Sequence, residues 1–205
     1  MSAVIGVDLD NTLVCYDEVF HLAACEEGLI DPVLPRSKEK VRDAIRLLPD
    51  GESRWTRLQA LVYGPRMTEA TAFDGIDAFF RHCADTRTQA WIVSHKTPSA
   101  SLDGRQVDIR EAALRWMRLK GFFDPDGLAL SPGAVFFEST RAEKIERIRA
   151  LHCTHFIDDL AEVFAESAFP PETAKLLFAA HEGQPPAADV RPFKSWRELD
   201  QFFFG

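Results

Sequence analysis

The sequence predicts an α/β protein: a Rossmann-like, three-layer core with a parallel sheet between two layers of helices, carrying a small inserted helical cap. Three observations lead there. Short apolar runs bounded by turn residues recur along the chain, the pattern of strands buried on both faces. Amphipathic helix patterns separate these runs, and strands alternating with helices pack as a parallel sheet covered on both sides. The stretch between the first two apolar runs breaks the alternation with helical patterns only.

The elements follow in chain order. Residues 3–7 form a first strand of β-branched character, and a helix is expected near residues 17–27. Residues 37–48 place Val41, Ala44, Ile45 and Leu48 on one helical face, and residues 53–62 do so with Trp55, Leu58, Leu61 and Val62 before Gly64-Pro65. These helices define an expected insertion over residues 15–73, with residues 1–14 and 74–205 as the core. Packing on the sheet as a long crossover is the alternative, but a βα crossover needs far fewer residues. Ile76, Phe79, Phe80 and Cys83 then mark a helix, residues 90–93 (AWIV) a strand, and Ile109, Ala112, Ala113 and Trp116 a helix that Gly121 ends. Residues 134–137 (AVFF), 155–157 and 175–179 (KLLFA) complete a set of five strands. Thr140-Arg-Ala-Glu143 and Ser195-Trp-Arg-Glu198 are capping-box signatures, the first opening a helix to about Leu151. The terminal Phe202-Phe203-Phe204 reads either as a docking segment or as a core anchor.

Composition bounds the function. A chain of 205 residues suits one domain with a modest insertion. Its 46% hydrophobic and 27% charged content excludes a disordered or fibrous protein. A net charge of −8 argues against a nucleic-acid partner, although a local cluster can still hold a small anion. Cys15, Cys25, Cys83 and Cys153 are widely spaced, which speaks against a zinc site or disulfide framework and for reduced thiols in a cytoplasm. With no basic leader and no long apolar segment, neither export nor a membrane partner is expected. The sequence does not specify an oligomeric state.

In an open parallel sheet, ligands bind outside the carboxyl ends of the strands. The first strand runs into Asp8-Leu-Asp10-Asn-Thr12. A spacing of two turns Asp8 and Asp10 to one side and Leu9 into the core. Carboxylates that close repel unless one holds a proton or a cation lies between them, and a hard Mg²⁺ ion suits oxygen donors. The second strand ends at Ser94, followed by His95-Lys96-Thr97; a hydroxyl there can hold phosphate oxygens, though serine also simply ends strands. After the third come Glu138 and the capped helix, where Lys144 leans back toward the sheet edge or stays at the surface. Asp158-Asp159 closes the fourth, as a second acidic site or a surface turn.

This ordered array resembles the haloacid dehalogenase superfamily, most closely its phosphatase branch. The motifs are VDLDNTL (Asp8, Asp10, Thr12), WIVS (Ser94), Lys144 at a helix start, and HFIDD (Asp158, Asp159), spanning residues 3–160. The resemblance implies Mg²⁺-dependent hydrolysis of a phosphate monoester on a small phosphorylated metabolite. Asp8 would be the nucleophile that becomes an aspartyl-phosphate. Asp10 would protonate the leaving alcohol and later deprotonate water, with its backbone carbonyl toward the metal. Asp8, Asp10 and the Asp158-Asp159 pair would form the metal shell, with either Asp158 or Asp159 as the direct ligand and the other oriented behind it, while Ser94, Lys144 and Thr12 bind the phosphate. Dehalogenases and ion-pumping ATPases of the superfamily lack a carboxylate at the place of Asp10, which favours a phosphatase. A phosphotransferase or phosphomutase, or a catalytically idle ligand-binding member, stands as the alternative. In family terms the inserted helices resemble a cap, and Arg54, Arg57 and His181 are further candidates for contact with substrate.

Overall fold

The computed structural model describes residues 3–180 and 187–205. The first elements are β1 (Val4–Val7), β2 (Val14–Cys15), α1 (Asp17–Glu26), α2 (Lys38–Arg46), α3 (Gly51–Tyr63) and β3 (Thr71–Ala72). Then come α4 (Ile76–Thr86), β4 (Gln89–His95), β5 (Ser99–Leu102), β6 (Arg105–Asp108), α5 (Ile109–Leu119), β7 (Val135–Glu138) and α6 (Arg141–Ala150). The chain finishes with β8 (His155–Asp158), α7 (Ala161–Phe164), β9 (Ala174–Phe178), β10 (Val190–Phe193) and α8 (Trp196–Phe204).

Six strands form one parallel sheet in the order β10-β9-β8-β1-β4-β7. The chain starts in the middle, steps outward through β4 to β7, returns to β8 beside β1, and leaves through β9 and β10. This is the doubly wound arrangement, with its switch point between β1 and β8. All five expected strands are present. The sixth, β10, was not anticipated, because Arg191 and Pro192 interrupt its apolar pattern. As an edge strand bonded, among the described residues, only to β9, it tolerates a residue without an N–H.

The chain divides into two compact units. One contains the six-stranded sheet: the described residues up to Val14, Ala72–Lys96, and the described residues from Gly121 onward. On one face of this sheet, Val93, Phe156 and Leu177 pack with Ile145 and Ile148 of α6 and Val163 and Phe164 of α7. On the other, Phe178 meets Trp196 of α8, whose ring centroid lies 4.9 Å from that of Phe79 on α4. The C-terminal phenylalanines belong to this packing. Phe203 and Phe204, half-buried, lie 5.8 and 5.7 Å from Phe79, and Phe202, which is exposed, lies 5.3 Å from Phe193, so the segment packs against the core and leaves Phe202 at the surface.

The second unit comprises Cys15–Thr71 and Thr97–Lys120. Phe20 stacks on Trp55 at 4.9 Å, and the Lys38 ammonium lies 5.5–5.6 Å from the rings of Tyr16, Phe20 and Tyr63, within cation–π range. The alternation of apolar runs assigns residues 97–120 to the sheet-bearing core, whereas in the structure they cluster with the inserted helices. Periodicity identified α5 as amphipathic, but it could not say which body its apolar face meets. The side chain of Val107 closes on Gly64, and Trp116 Nε1 donates to the Ala70 carbonyl at 2.9 Å, so the β5–β6 hairpin and α5 pack within the inserted unit. All four cysteines are free, and among the described residues no helix is long and apolar enough to cross a membrane.

Gly6 occupies the centre of β1 because a neighbour requires it. A Cβ at this position would lie 2.5 Å from the buried Phe156 ring on adjacent β8. Gly6→Ala is expected to destabilise the protein by about 1–3 kcal/mol in chemical denaturation. Trimming the ring with Phe156→Leu in the same chain should recover part of that loss.

Candidate active site

The loop after β1 is built by a tight reversal. Asp8 N–H donates to the Ile157 carbonyl at 2.8 Å, carrying the β1–β8 ladder one step beyond the strand. Leu13 and Val14 N–H groups then both donate to the Leu9 carbonyl, at 2.9 and 3.0 Å, while the Leu9 side chain is buried. Asn11 adopts φ 58° within this turn, a left-handed conformation that asparagine tolerates. The Thr12 carbonyl accepts a hydrogen bond from Trp196 Nε1 at 2.9 Å, so the last helix braces the loop.

Strand alternation sends the Asp8 and Asp158 side chains out on the face that α6 covers, the face of Gly6 and Phe156. The Thr140 side chain caps α6 and the Glu143 side chain completes the capping box, as the sequence indicated. Lys144, buried rather than at the surface, reaches both carboxylates: its Nζ lies 2.6 Å from Asp8 Oδ1 and 2.7 Å from Asp158 Oδ2. The second Asp158 oxygen accepts from Leu160 N–H at 3.0 Å. Asp8, Asp158 and Asp159 each offer a carboxylate oxygen within 4.8 Å of the others.

The Asp10 side chain turns elsewhere, to Lys96, whose Nζ lies 2.8 Å from Oδ2 and 3.1 Å from Oδ1. Ser94 and Thr12 are buried, and among the described residues neither hydroxyl has a hydrogen-bond partner. An unsatisfied buried hydroxyl costs roughly 1–3 kcal/mol, an expense that ligand oxygens at these positions would offset. Asp8, Lys144, Asp158 and Asp159 are therefore brought together directly, Asp10 stands on Lys96, and Ser94 and Thr12 end the array as open donors.

The charges do not balance locally. Burial, opposed by the Lys144 ammonium and reinforced by the Asp158 and Asp10 carboxylates, raises the Asp8 carboxyl to about 7. Burial also works against the Lys144 charge, but Asp158 and Asp8 outweigh it and hold the ammonium above the ordinary lysine value. One cation shared by two carboxylates leaves Asp8 undercompensated, with Asp159 adding a further carboxylate. An all-oxygen donor set with surplus negative charge fits a hard divalent ion, held by Asp8, Asp158 and Asp159.

Two residues that support the site had no role assigned from sequence. Lys96 was visible only as part of the run after Ser94. The signal was that β4 extends further than its apolar core, so that Lys96 falls at the carboxyl edge of the sheet. Asn11 donates from Nδ2 to Asp159 Oδ2 at 3.2 Å, a contact across 148 positions that no local pattern announces. Arg54 and Arg57 lie in the second unit. Arg54 Nε donates to the Pro49 carbonyl, and Arg57 pairs with Asp103 and Glu27, each at 2.7 Å at its shortest. His181 lies outside the described residues.

A doubly wound sheet with a carboxylate cluster at its switch point defines the class: a Rossmann-like α/β fold. No family model matches the chain, and no curated protein matches it in sequence. Solved structures do. A haloacid dehalogenase (HAD) family hydrolase from Deinococcus radiodurans R1 with bound phosphate and sodium has a TM-score of 0.57 at 18% identity, over 97% of this chain and 93% of that one. A HAD-superfamily hydrolase from Ehrlichia chaffeensis gives 0.54 at 14% identity over 98% and 96%. A dehalogenase solved as an intermediate complex gives 0.59 at 14% identity over 100% and 98%. The fold is that of the haloacid dehalogenase superfamily.

The raised Asp8 carboxyl makes stability depend on pH. Its ordinary value is 3.8 and its value in the fold is about 7, so the stability gained from the neutral form is fully present below pH 3.8 and lost as pH rises through about 7. In chelator at pH 8, Asp8→Asn is expected to melt roughly 2–8 °C above wild type, the gain vanishing near pH 4. Adding Mg²⁺ at pH 8 should raise the wild-type melting temperature more than that of Asp8→Asn, as read by scanning calorimetry.

Proposed function

We propose that this chain is a Mg²⁺-dependent phosphatase that hydrolyses a phosphate monoester on a small metabolite through an aspartyl-phosphate at Asp8. The observation that carries this reading is the meeting of Asp8, Asp158 and Asp159 within 4.8 Å at the switch point, with Lys144 shared between two of them and a further carboxylate, Asp10, two residues beyond the nucleophile. The structurally similar hydrolase from Deinococcus radiodurans holds phosphate, which agrees with it. Dehalogenases share the fold as well, but the resemblance set out above associates a carboxylate at the place of Asp10 with phosphoryl transfer.

Bound by Asp8, Asp158 and Asp159, Mg²⁺ would supply positive charge that lets an anionic nucleophile approach an anionic phosphoryl group. The remaining chemistry belongs to the chain. A free Asp8 oxygen attacks phosphorus and the bond to the ester oxygen breaks, while Asp10, which enters this step protonated, gives that oxygen its proton and is left as a carboxylate. Asp10 then removes a proton from a water molecule, whose oxygen attacks the same phosphorus and releases the Asp8 carboxylate and inorganic phosphate. The open Ser94 and Thr12 hydroxyls and the Lys144 ammonium stabilise the phosphoryl oxygens as charge shifts onto them. In this reading the inserted unit is the cap that selects the substrate.

Phosphate release from a panel of sugar phosphates, nucleotides and other monoesters is expected with Mg²⁺ and abolished by EDTA. Asp8→Asn should eliminate turnover, and Asp10→Asn should lower it by about 10²–10⁴-fold. Mass spectrometry of quenched enzyme should find one phosphoryl group on the peptide containing Asp8. Silence on every ester, together with no Mg²⁺ binding in calorimetry, would sink the proposal; transfer of phosphoryl to an added acceptor without free phosphate would turn it into a phosphotransferase.

A further inference from the structure

Two buried ammonium groups face the carboxylates of the site, and the reaction above uses only one. Lys96 follows β4 at its carboxyl end, and its backbone N–H donates to the Glu138 carbonyl at 2.8 Å, prolonging the β4–β7 ladder beyond the His95–Glu138 pair. The residue is therefore anchored by main chain. Its side chain is 2% exposed and its Nζ contacts both oxygens of Asp10, at 2.8 and 3.1 Å. Keeping an ammonium out of water is costly before pairing, and an apolar chain of similar volume often serves stability as well. A strand end alone gives no packing reason for a lysine, so its purpose lies in what it holds.

We propose that Lys96 is the positioning residue for Asp10 and, with Lys144, sets the charge deficit of the site to that of one divalent ion. The inference deepens the phosphatase reading and rests on it. Asp10 must meet the ester oxygen in one step and a water molecule in the next. A carboxylate spanned at both oxygens by one fixed ammonium keeps the same orientation through both encounters, which spares the cost of reorienting it. The charge argument is separate. In the substrate-free site, before Asp10 takes up the proton it later gives the ester oxygen, ionised Asp8, Asp10, Asp158 and Asp159 carry four negative charges, of which Lys96 and Lys144 offset two. The remainder equals one Mg²⁺. Without Lys96 the deficit grows by one, so the site should hold the ion more tightly while its acid–base carboxylate loses its clamp.

The test compares Lys96→Met and Lys96→Arg with wild type, with folding checked by near-ultraviolet circular dichroism. Steady-state kinetics give kcat and KM for phosphate release, and calorimetry gives Mg²⁺ affinity without substrate. Lys96→Met is expected to lower kcat by at least about tenfold while KM moves by less than about threefold. Its Mg²⁺ Kd should fall by on the order of tenfold. Lys96→Arg, which keeps charge and donors, should recover most of kcat and the wild-type Kd. In an Asp10→Asn background, Lys96→Met should add no further loss of kcat, because its effect passes through Asp10. A wild-type kcat in Lys96→Met, or an equal loss in the Asp10→Asn background, overturns the positioning role. An unchanged or weaker Mg²⁺ affinity in folded Lys96→Met overturns the charge role. Should Lys96→Met not fold, Lys96→Gln carries the same comparison. A wild type silent on every ester fails the phosphatase reading instead, and the Mg²⁺ titrations still decide the charge role.

Discussion

One ammonium between two carboxylates organises this site. Lys144 Nζ lies 2.6 Å from Asp8 and 2.7 Å from Asp158, and all three groups are buried. Each of these charges would be costly alone, and removing the shared ammonium would strand both carboxylates in a medium that solvates them poorly. The triad also ties three elements together at one point: the end of β1, the end of β8 and the start of α6. Its balance is deliberately incomplete in a physical sense, since two negative charges share one positive charge and Asp159 stands alongside. The site thus has a surplus that protonation of Asp8 or a bound cation relieves.

Sheet topology explains why residues so distant in sequence can share that point. The chain turns from β1 to β4 on one side and later returns to β8 on the other, so the connections leaving β1 and β8 diverge at their carboxyl ends and leave a crevice. Parity decides the rest. Asp8 and Asp158 emerge on the same face of the sheet, the one that α6 covers, and a helix side chain leaning toward its own N-terminus meets both. The loop after β1 is held from a helix distant in sequence, through the bond from Trp196 to Thr12, and Phe203 and Phe204 pack that helix against Phe79. Stability and site geometry therefore depend on the same helix.

Much of this was legible before any coordinates. The apolar runs of β1, β4, β7, β8 and β9, the capping boxes of α6 and α8, and the acidic residues after β1 and β8 each have a local signature. Legibility ended where a residue's meaning came from a distant partner. Lys96 stood in plain view beside Ser94, yet only its approach to Asp10 gives it a role. Asn11 looked like an ordinary turn residue until its amide met Asp159. Strand β10 was hidden by Pro192, which an edge can accept and a central strand cannot. Residues 97–120 displayed a clear helical period, but a period names a face without naming what covers it.

The sequence by itself determined the alternation of strands and helices, the turns that punctuate them, and the kinds of side chain that stand at strand ends. These depend on neighbours within a few positions, where backbone propensity, periodicity and capping act. Tertiary structure alone decided which charges share a cation, which hydroxyls lack a partner, and which unit receives α5. Those outcomes depend on distances across the sheet and on the loss of solvent around buried groups. Both arise only once the whole chain has packed.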